Sequence, residues 1–587
     1  MNLSAPNLNQ LWANLLVEEL VRNGVDYFCL APGSRCAPLT TAIASSPRAK
    51  TVLHYDERGV AFHALGYGRA TGRPAVVVTT SGTAVANVLP AVVEASEDQV
   101  PMIVLTADRP PELHDAGANQ TIEQVMIFGP YLRWENNLPC PTTEIKPETV
   151  LTAVDQALYR SRSSPHGPVH LNCMFREPLA PVSSGEDYGT YLSSLARWQK
   201  SGKPYTICTP SMQAAHEESL NDLVTTLNSA TRGLLIVGAL RDKTETEAVR
   251  RLSDKLGWPV LPDITSGLRL GANSTHTIVH YDQILAAGKF LSAHLPDVVL
   301  HLGGRLTSKR LLEYIEGSRP NEYIVIDDHP FRYDPSHLAT AKIESAIDSF
   351  CDALCSRLNS RKSSPWLQDW QRASRLVDEA LKNFAAKSSG LSEPLVARLI
   401  SQEIGAQCGL FLGSSMPVRD MNIFGATDGP QVRVAANRGA SGIDGTVASA
   451  TGFARGLNHP VTLLIGDLAL LHDLNSLSLV RSLDLPMTIV AVNNNGGGIF
   501  SFLPIAQFED IFDRYFGTPH NLDFEGAARM FGLGHARPSS KSAFVEAYKA
   551  AAKKQKSTLI EVVTQRKENY DLHVALQKEI SSKLGGA

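Results

Sequence analysis

The chain has 587 residues, enough for about three or four domains at roughly 150 residues each. Lys plus Arg number 55 against 59 Asp plus Glu, a net charge of −4 that argues against a nucleic-acid binder held by phosphate neutralisation. With 43% hydrophobic and 19% charged residues the chain has ample apolar surface to bury, which excludes a disordered protein. Its 43 Gly and 34 Pro exclude a collagen-like or low-complexity one.

The N-terminal stretch Met1–Gly24 reads as an amphipathic helix with Glu18, Glu19 and Arg22 inside it, so neither a signal nor a transit peptide is expected. No run of about 18 apolar residues occurs, so no membrane span is expected either. The 8 cysteines are too sparse for a disulfide scaffold and none has CxxC spacing. A cytoplasmic protein is the expectation.

Further along, short runs of Val, Ile and Leu alternate with longer helical patterns. Val25–Leu30 leads into Ala31-Pro32-Gly33-Ser34-Arg35. Thr51–Leu53 leads into His54-Tyr55-Asp56-Glu57-Arg58-Gly59. Ala75–Thr79 leads into Thr80-Ser81-Gly82-Thr83, which opens a helix. Met102–Thr106 and Val169–Asn172 follow. Ser183–Ser211 is polar and reads as a linker. The middle third offers Leu234–Val237, Val298–Leu302 and Tyr323–Ile326, then a second linker at Ser356–Gln371. Late runs are Leu410–Leu412, Val461–Ile465, Met487–Val492 and Leu559–Val563. Continuous rather than alternating apolarity suits strands buried on both faces of a parallel sheet. The fold class is α/β, with three doubly wound parallel-sheet domains at 1–185, 205–355 and 375–587. In the middle domain Gly303-Gly304 follows a strand, but no GxGxxG does, so no NAD or FAD is expected.

The chemistry concentrates late in the chain. Gly466-Asp467 ends one apolar strand. The next runs into Asn493-Asn494-Asn495-Gly496-Gly497-Gly498. The intervening stretch is long enough for one helix and a return strand, a right-handed βαβ unit. A carboxylate and a carboxamide then meet at the carboxyl ends of neighbouring strands, where open α/β sheets bind ligands. Oxygen ligands suit Mg²⁺ with a diphosphate, and the glycines admit a close backbone approach. Taken singly, Asp467 reads equally well as a helix cap and the Asn/Gly run as a turn. Taken singly, too, Glu57 reads as a surface residue paired with Arg58.

Glycine-aspartate followed at this distance by paired asparagines resembles the signature of thiamin diphosphate enzymes, with Leu468 where that signature usually has glycine. The resemblance sharpens with APGSR (31–35), DERG (56–59), TADRPPELHDAGANQ (106–120), GPVHLN and FREPL (167–179), LTSKRLL (306–312), NRGASGIDG (437–445) and NNNGGGIF (493–500). Together they resemble the 2-succinyl-5-enolpyruvyl-6-hydroxy-3-cyclohexene-1-carboxylate synthase family of menaquinone and phylloquinone biosynthesis.

That resemblance implies three domains of the thiamin diphosphate-enzyme type and two cofactors: thiamin diphosphate, and Mg²⁺ or Mn²⁺. It implies two dicarboxylate substrates, isochorismate and 2-oxoglutarate, and a decarboxylating 1,4-addition. Glu57 would meet the aminopyrimidine as the catalytic residue. Ser81, Ser415, Ile443, Gly466, Asp467, Leu468, Asn494 and Ile499 would hold the cofactor. Asp467, Asn494 and the Gly496 carbonyl would hold the metal. Ser34, Arg35, Arg109, Asn119, Gln120, Lys309, Arg310, Arg419, Arg438, Phe500 and Leu503 would meet substrate, where forked guanidinium groups suit carboxylates. A homodimer or dimer of dimers is implied, with the cofactor site at the subunit interface. The alternatives are another thiamin diphosphate enzyme, of the acetolactate synthase or 2-oxoacid decarboxylase kind, and a non-catalytic thiamin diphosphate-binding protein.

Overall fold

Runs such as Val76-Val77-Val78 have no polar face, and the fold uses both sides of them. In the computed structural model, which describes residues 5–271, 274–361, 363–554 and 556–585, Val76 and Val78 pack into one apolar cluster while Val77 packs into another across the sheet. Leu234 and Ile236 divide from Leu235 and Val237 in the same way. A buried aliphatic side chain contributes about 1.5–3 kcal/mol, so such runs leave no alternative to helices on both faces.

Three sheets result, and every strand pairing in them is parallel. The first holds β1 (Tyr27–Leu30), β2 (Lys50–Leu53), β3 (Ala75–Thr79), β4 (Met102–Asp108), β5 (Trp134–Leu138) and β6 (Pro168–Met174). The second holds β7 (Gly233–Val237), β8 (Val260–Pro262), β9 (Val298–Leu302), β10 (Glu322–Asp327) and β11 (Ala341–Glu344). The third holds β12 (Gly409–Leu412), β13 (Val434–Ala436), β14 (Val461–Gly466), β15 (Met487–Asn493), β16 (Gly534–Ala536) and β17 (Thr558–Val563). Their orders are 2-1-3-4-6-5, 11-10-9-7-8 and 13-12-14-15-17-16. Each order reverses inside its sheet, between β1 and β3, between β7 and β9, and between β12 and β14; the first and third turn back again only at the edge, at β6–β5 and β17–β16. The inner reversals are the switch points where crevices open.

The described residues form two compact units. One takes the chain up to Ser211 together with Asn437–Asn458 and His472–Asp484. The other takes Met212–Ala436, His459–Leu471 and the chain from Leu485 onward. The first unit therefore contains the first sheet and helix Thr446–Leu457, which lies along helix Glu57–Thr71. Small residues let those two backbones meet. A methyl group on Gly66 would stand 2.0 Å from the Ser449 carbonyl oxygen.

Three expectations need correction. Ser183–Ser211 is not a free linker: Leu192, Leu195 and Trp198 are buried in the core beside the first sheet. Helix Pro365–Lys387 begins inside the second supposed linker. Its start is capped by Ser364, which accepts from the Leu367 N–H at 3.2 Å, and Trp366 and Trp370 bury at helical spacing. Between β14 and β15 the chain forms two short helices, Asp467–His472 and Leu477–Ser482, where one was expected.

Candidate active site

In the first unit the loops after β1, β2, β3 and β4 carry the candidate residues. The loop after β1 turns at Ser34, which is exposed, and buries Arg35. The Arg35 N–H donates to Thr80 Oγ1 at 3.1 Å and its Nη1 to the Phe175 carbonyl at 2.9 Å. Glu177 lies 3.3 Å from Nη2. Burial, and then the neighbouring Arg109 guanidinium, hold the Arg35 pKa below the ordinary arginine value. The Nε atoms of both Arg35 and Arg109 are buried without a partner. Two adjacent cations with unused donors suit a carboxylate.

Gln124 ties these loops together. Its Oε1 accepts from the Gly82 N–H at 3.0 Å, and its Nε2 donates to the Ala107 carbonyl and Asn172 Oδ1. Gln120, at φ +52°, sits against Gly82. Asn119 beside it is exposed, whereas Ser81 is buried with its hydroxyl unpartnered.

Glu57 is the first residue of its helix, placed there by the Asp56 cap, which accepts from the Arg58 N–H at 3.0 Å. Arg58 pairs with Asp56 at 2.7 Å, and it is this guanidinium that holds the Asp56 pKa down. Glu57 is therefore not spent on Arg58. Its Oε2 accepts from Asn87 Nδ2 at 3.2 Å. On the segment that joins this unit later, Glu94 accepts from three successive N–H groups, those of Gly439, Ala440 and Ser441, and so holds the loop between Arg438 and Ile443. Ile443 is 37% exposed, unusual for an isoleucine in so ordered a loop.

In the second unit β14 and β15 run in register to Gly466 opposite Val492, so Asp467 and Asn494 emerge at neighbouring strand ends. Asp467 is buried. Its Oδ1 accepts from the Leu468 N–H at 2.7 Å, and its Oδ2 from the Gly496 N–H at 2.9 Å and His520 Nε2 at 3.1 Å. Arg566 fixes the loop by donating to the carbonyls of Asn495 and Gly517. Asn494 Nδ2 donates to Glu393 Oε1 at 2.9 Å, while Asn494 Oδ1 is buried with no partner. An orphaned amide oxygen beside a carboxylate and a loop carbonyl is an all-oxygen donor set of the kind a hard divalent cation takes. Ser415 caps helix Met416–Phe424 through its backbone alone, leaving its hydroxyl out of the cap.

A cavity of about 920 Å³ in this unit is lined by Lys309, Arg310, Arg419, Ile499, Phe500 and Leu503, together with Tyr570, His573 and Gln577 of the C-terminal helix. Arg310 pairs with Asp282 at 3.0 Å. Arg419 donates to the Ser414 and Ser415 carbonyls at 2.9 and 2.6 Å. Lys309 is exposed beside Glu313. Three cations thus face an apolar wall, an arrangement suited to an anionic substrate with a carbon skeleton.

The candidate residues fall into two groups. Ser34, Arg35, Glu57, Ser81, Arg109, Asn119, Gln120, Arg438 and Ile443 belong to the first unit. Lys309, Arg310, Ser415, Arg419, Gly466, Asp467, Leu468, Asn494, Gly496, Ile499, Phe500 and Leu503 belong to the second. Sequence reasoning missed Glu393, His520, Glu94 and the cavity face of the C-terminal helix. Glu393 is buried, and burial with the nearby Asp420 and Asp467 pushes its pKa up to about 8.

Comparison with known proteins gives a consistent picture. The family models for the N-terminal and C-terminal TPP binding domains of thiamine pyrophosphate enzymes match residues 12–127 and 422–562. The model for their middle domain matches residues 189–412. A 2-succinyl-5-enolpyruvyl-6-hydroxy-3-cyclohexene-1-carboxylate synthase from Rubrobacter xylanophilus is 53% identical, over 97% of this chain and 98% of its own. Synthases of the same name from Salinibacter ruber and Prosthecochloris aestuarii are 48% and 43% identical, each over 98% of both chains. A solved structure from Mycobacterium smegmatis, of an enzyme proposed to be thiamin diphosphate-dependent, superposes with TM-score 0.70. That match covers 94% of this chain and 99% of the other at 17% identity, and so speaks for the fold alone.

Proposed function

Because the chain belongs to the 2-succinyl-5-enolpyruvyl-6-hydroxy-3-cyclohexene-1-carboxylate synthase family of thiamin diphosphate enzymes, we propose that it joins the four-carbon unit left when 2-oxoglutarate loses CO₂ to the unsaturated carboxylate side of isochorismate, a step of menaquinone biosynthesis. The observation that carries the substrate reading is the cavity in which Lys309, Arg310 and Arg419 face Ile499, Phe500 and Leu503. Both substrates are dicarboxylates, and a pocket for pyruvate alone would not need three cations.

Thiamin diphosphate supplies an electron sink for the carbanion that decarboxylation leaves. Asp467, Asn494 Oδ1 and the Gly496 carbonyl would hold Mg²⁺, or Mn²⁺ in its place, a donor set that includes the orphaned oxygen. Ser415 reaches the diphosphate with the hydroxyl its helix cap leaves free. Glu57 holds the aminopyrimidine ring by a hydrogen bond and sets its protonation. Ile443 gives the cofactor an apolar support. Arg35 and Arg109, with Ser34, Asn119 and Gln120, take the carboxylates of the second substrate, and Arg438 adds a further cation. The apolar wall keeps water from the reacting carbon.

The working form is a homodimer, or a dimer of dimers, in which the Glu57 half of one protomer and the Asp467 half of its partner complete each site. Leu53 and Tyr55, which flank the Glu57 loop, are 64% and 60% exposed, apolar surface that an interface would cover. All eight cysteines are free, which fits a cytoplasmic enzyme in a reducing compartment. Among the described residues no helix is long and apolar enough to cross a membrane.

The test is isochorismate consumption by the purified protein with 2-oxoglutarate and Mg²⁺, with and without thiamin diphosphate. Loss that needs both the oxoacid and the cofactor is the expected result. No loss under any of these conditions would overturn the substrate assignment.

A further inference from the structure

Asn494 is held in an unusual way for a side chain at a strand end. Its Nδ2 donates to Glu393 Oε1 at 2.9 Å, and Thr564 Oγ1 donates to the same oxygen at 3.2 Å. Glu393 is only 4% exposed, so no bulk water competes for that oxygen. Oε1 accepts both hydrogen bonds, one from the Thr564 hydroxyl and one from the Asn494 amide. With Thr564 and Asn494 both donating to Oε1, the amide turns its nitrogen towards Glu393 and its oxygen away. Gly498 leaves space for Nδ2: a methyl group there would stand 2.5 Å from it. Asn494 Oδ1 is left buried and unpartnered.

We propose that Glu393 is a positioning residue for the divalent metal, fixing the Asn494 carboxamide so that its oxygen, and not its nitrogen, is the free ligand atom. This rests on the reading of Asp467 and Asn494 as metal ligands and adds a residue to it. Glu393 itself spends its oxygen on Asn494 and Thr564 and stands behind the ligand. Groups that orient a metal ligand from behind are worth about 10–100-fold in metal affinity. Without Glu393 the amide loses its reason to present oxygen. An amide N–H turned towards a divalent cation repels it.

The experiment titrates Mg²⁺ against a fixed concentration of thiamin diphosphate and follows cofactor binding by calorimetry or tryptophan quenching, with no substrate present. Glu393→Ala is expected to raise the Mg²⁺ concentration for half-saturation by about 10–100-fold, with full binding restored at saturating Mg²⁺. Glu393→Gln keeps the shape but can pair with Asn494 in either sense, so a rise of about tenfold is expected. The pair Glu393→Ala and Asn494→Ala should need no more Mg²⁺ than Asn494→Ala alone, because one acts through the other. A purely structural role would lower the melting temperature without this metal rescue. An unchanged Mg²⁺ requirement in Glu393→Gln, or additive losses in the double variant, would overturn the inference. If the wild-type protein showed no Mg²⁺-dependent cofactor binding, the underlying metal assignment would fall first.

Discussion

Glu57 and Glu19 both sit on early helices, and their neighbours give them different chemistry. Glu57 stands at a helix start with the Asn87 amide beside it, while Arg58 is taken by Asp56. Replacing Glu57 by Gln should leave thiamin diphosphate affinity intact and lower kcat by about 10²–10⁴-fold, the usual size of a general acid–base contribution. Steady-state kinetics beside a cofactor titration checks this; unchanged kcat would remove Glu57 from the chemistry. Glu19 lies on the buried side of helix Leu8–Arg22, where it accepts from Trp198 Nε1 and the Tyr205 N–H, each at 2.5 Å. Burial, and then Asp155, push its pKa up to about 8. A carboxyl raised in this way holds its proton more tightly in the folded than in the unfolded chain. Its contribution is fully present below about pH 4.5 and is lost as pH rises through about 8. Glu19→Gln has no proton to lose. Its melting temperature should therefore gain on the wild type between pH 6 and pH 9, and a gap that stayed constant would contradict the assignment.

Among the elements, the pair of helices Glu57–Thr71 and Thr446–Leu457 depends most on the absence of side chains. Gly66 meets the Ser449 carbonyl oxygen, and Gly452 meets the His63 carbonyl oxygen, at distances a methyl group cannot enter. Gly66→Ala is expected to cost at least about 1–3 kcal/mol, since backbone rather than a flexible side-chain end would have to move. Denaturant unfolding measures it, and a wild-type midpoint would show that the two helices separate easily. The strands were legible because a run such as Val76-Val77-Val78 can satisfy no other environment. The helix that starts at Pro365 was not, because Ser, Arg and Lys around it read as solvent-exposed chain. Its signal lies in Ser364, Pro365 and the four-residue spacing of Trp366 and Trp370. The burial of Glu19 could not be read at all. Its partners Asp155, Trp198 and Tyr205 lie far along the chain, and local spacing carries no trace of them. The same holds for Glu393, whose Asn494 is 101 positions away. Asp467 and Asn494 were legible because each ends an apolar strand and the two strands are neighbours.

At the scale of the whole molecule, the candidate residues divide between the two units, and the proposed homodimer makes a sharp prediction from that division. Glu57→Gln and Asp467→Ala should each be nearly inactive alone. Mixed and allowed to exchange protomers, they should recover activity up to about a quarter of the wild type, because half the dimers would be mixed and each mixed dimer would hold one intact site. Activity assayed before and after exchange decides this, and no recovery despite exchange confirmed by native mass spectrometry would place both groups of each site in one protomer. The division has a further consequence. The unit that contains the first sheet also contains Asn437–Asn458 and His472–Asp484. During synthesis its opening segment leaves the ribosome long before those partners exist, and at about 5–20 residues per second the wait is tens of seconds. Throughout it, the glycine-lined flank of helix Glu57–Thr71 has nothing to lie against. The newborn chain carries that bare flank until the later segments arrive.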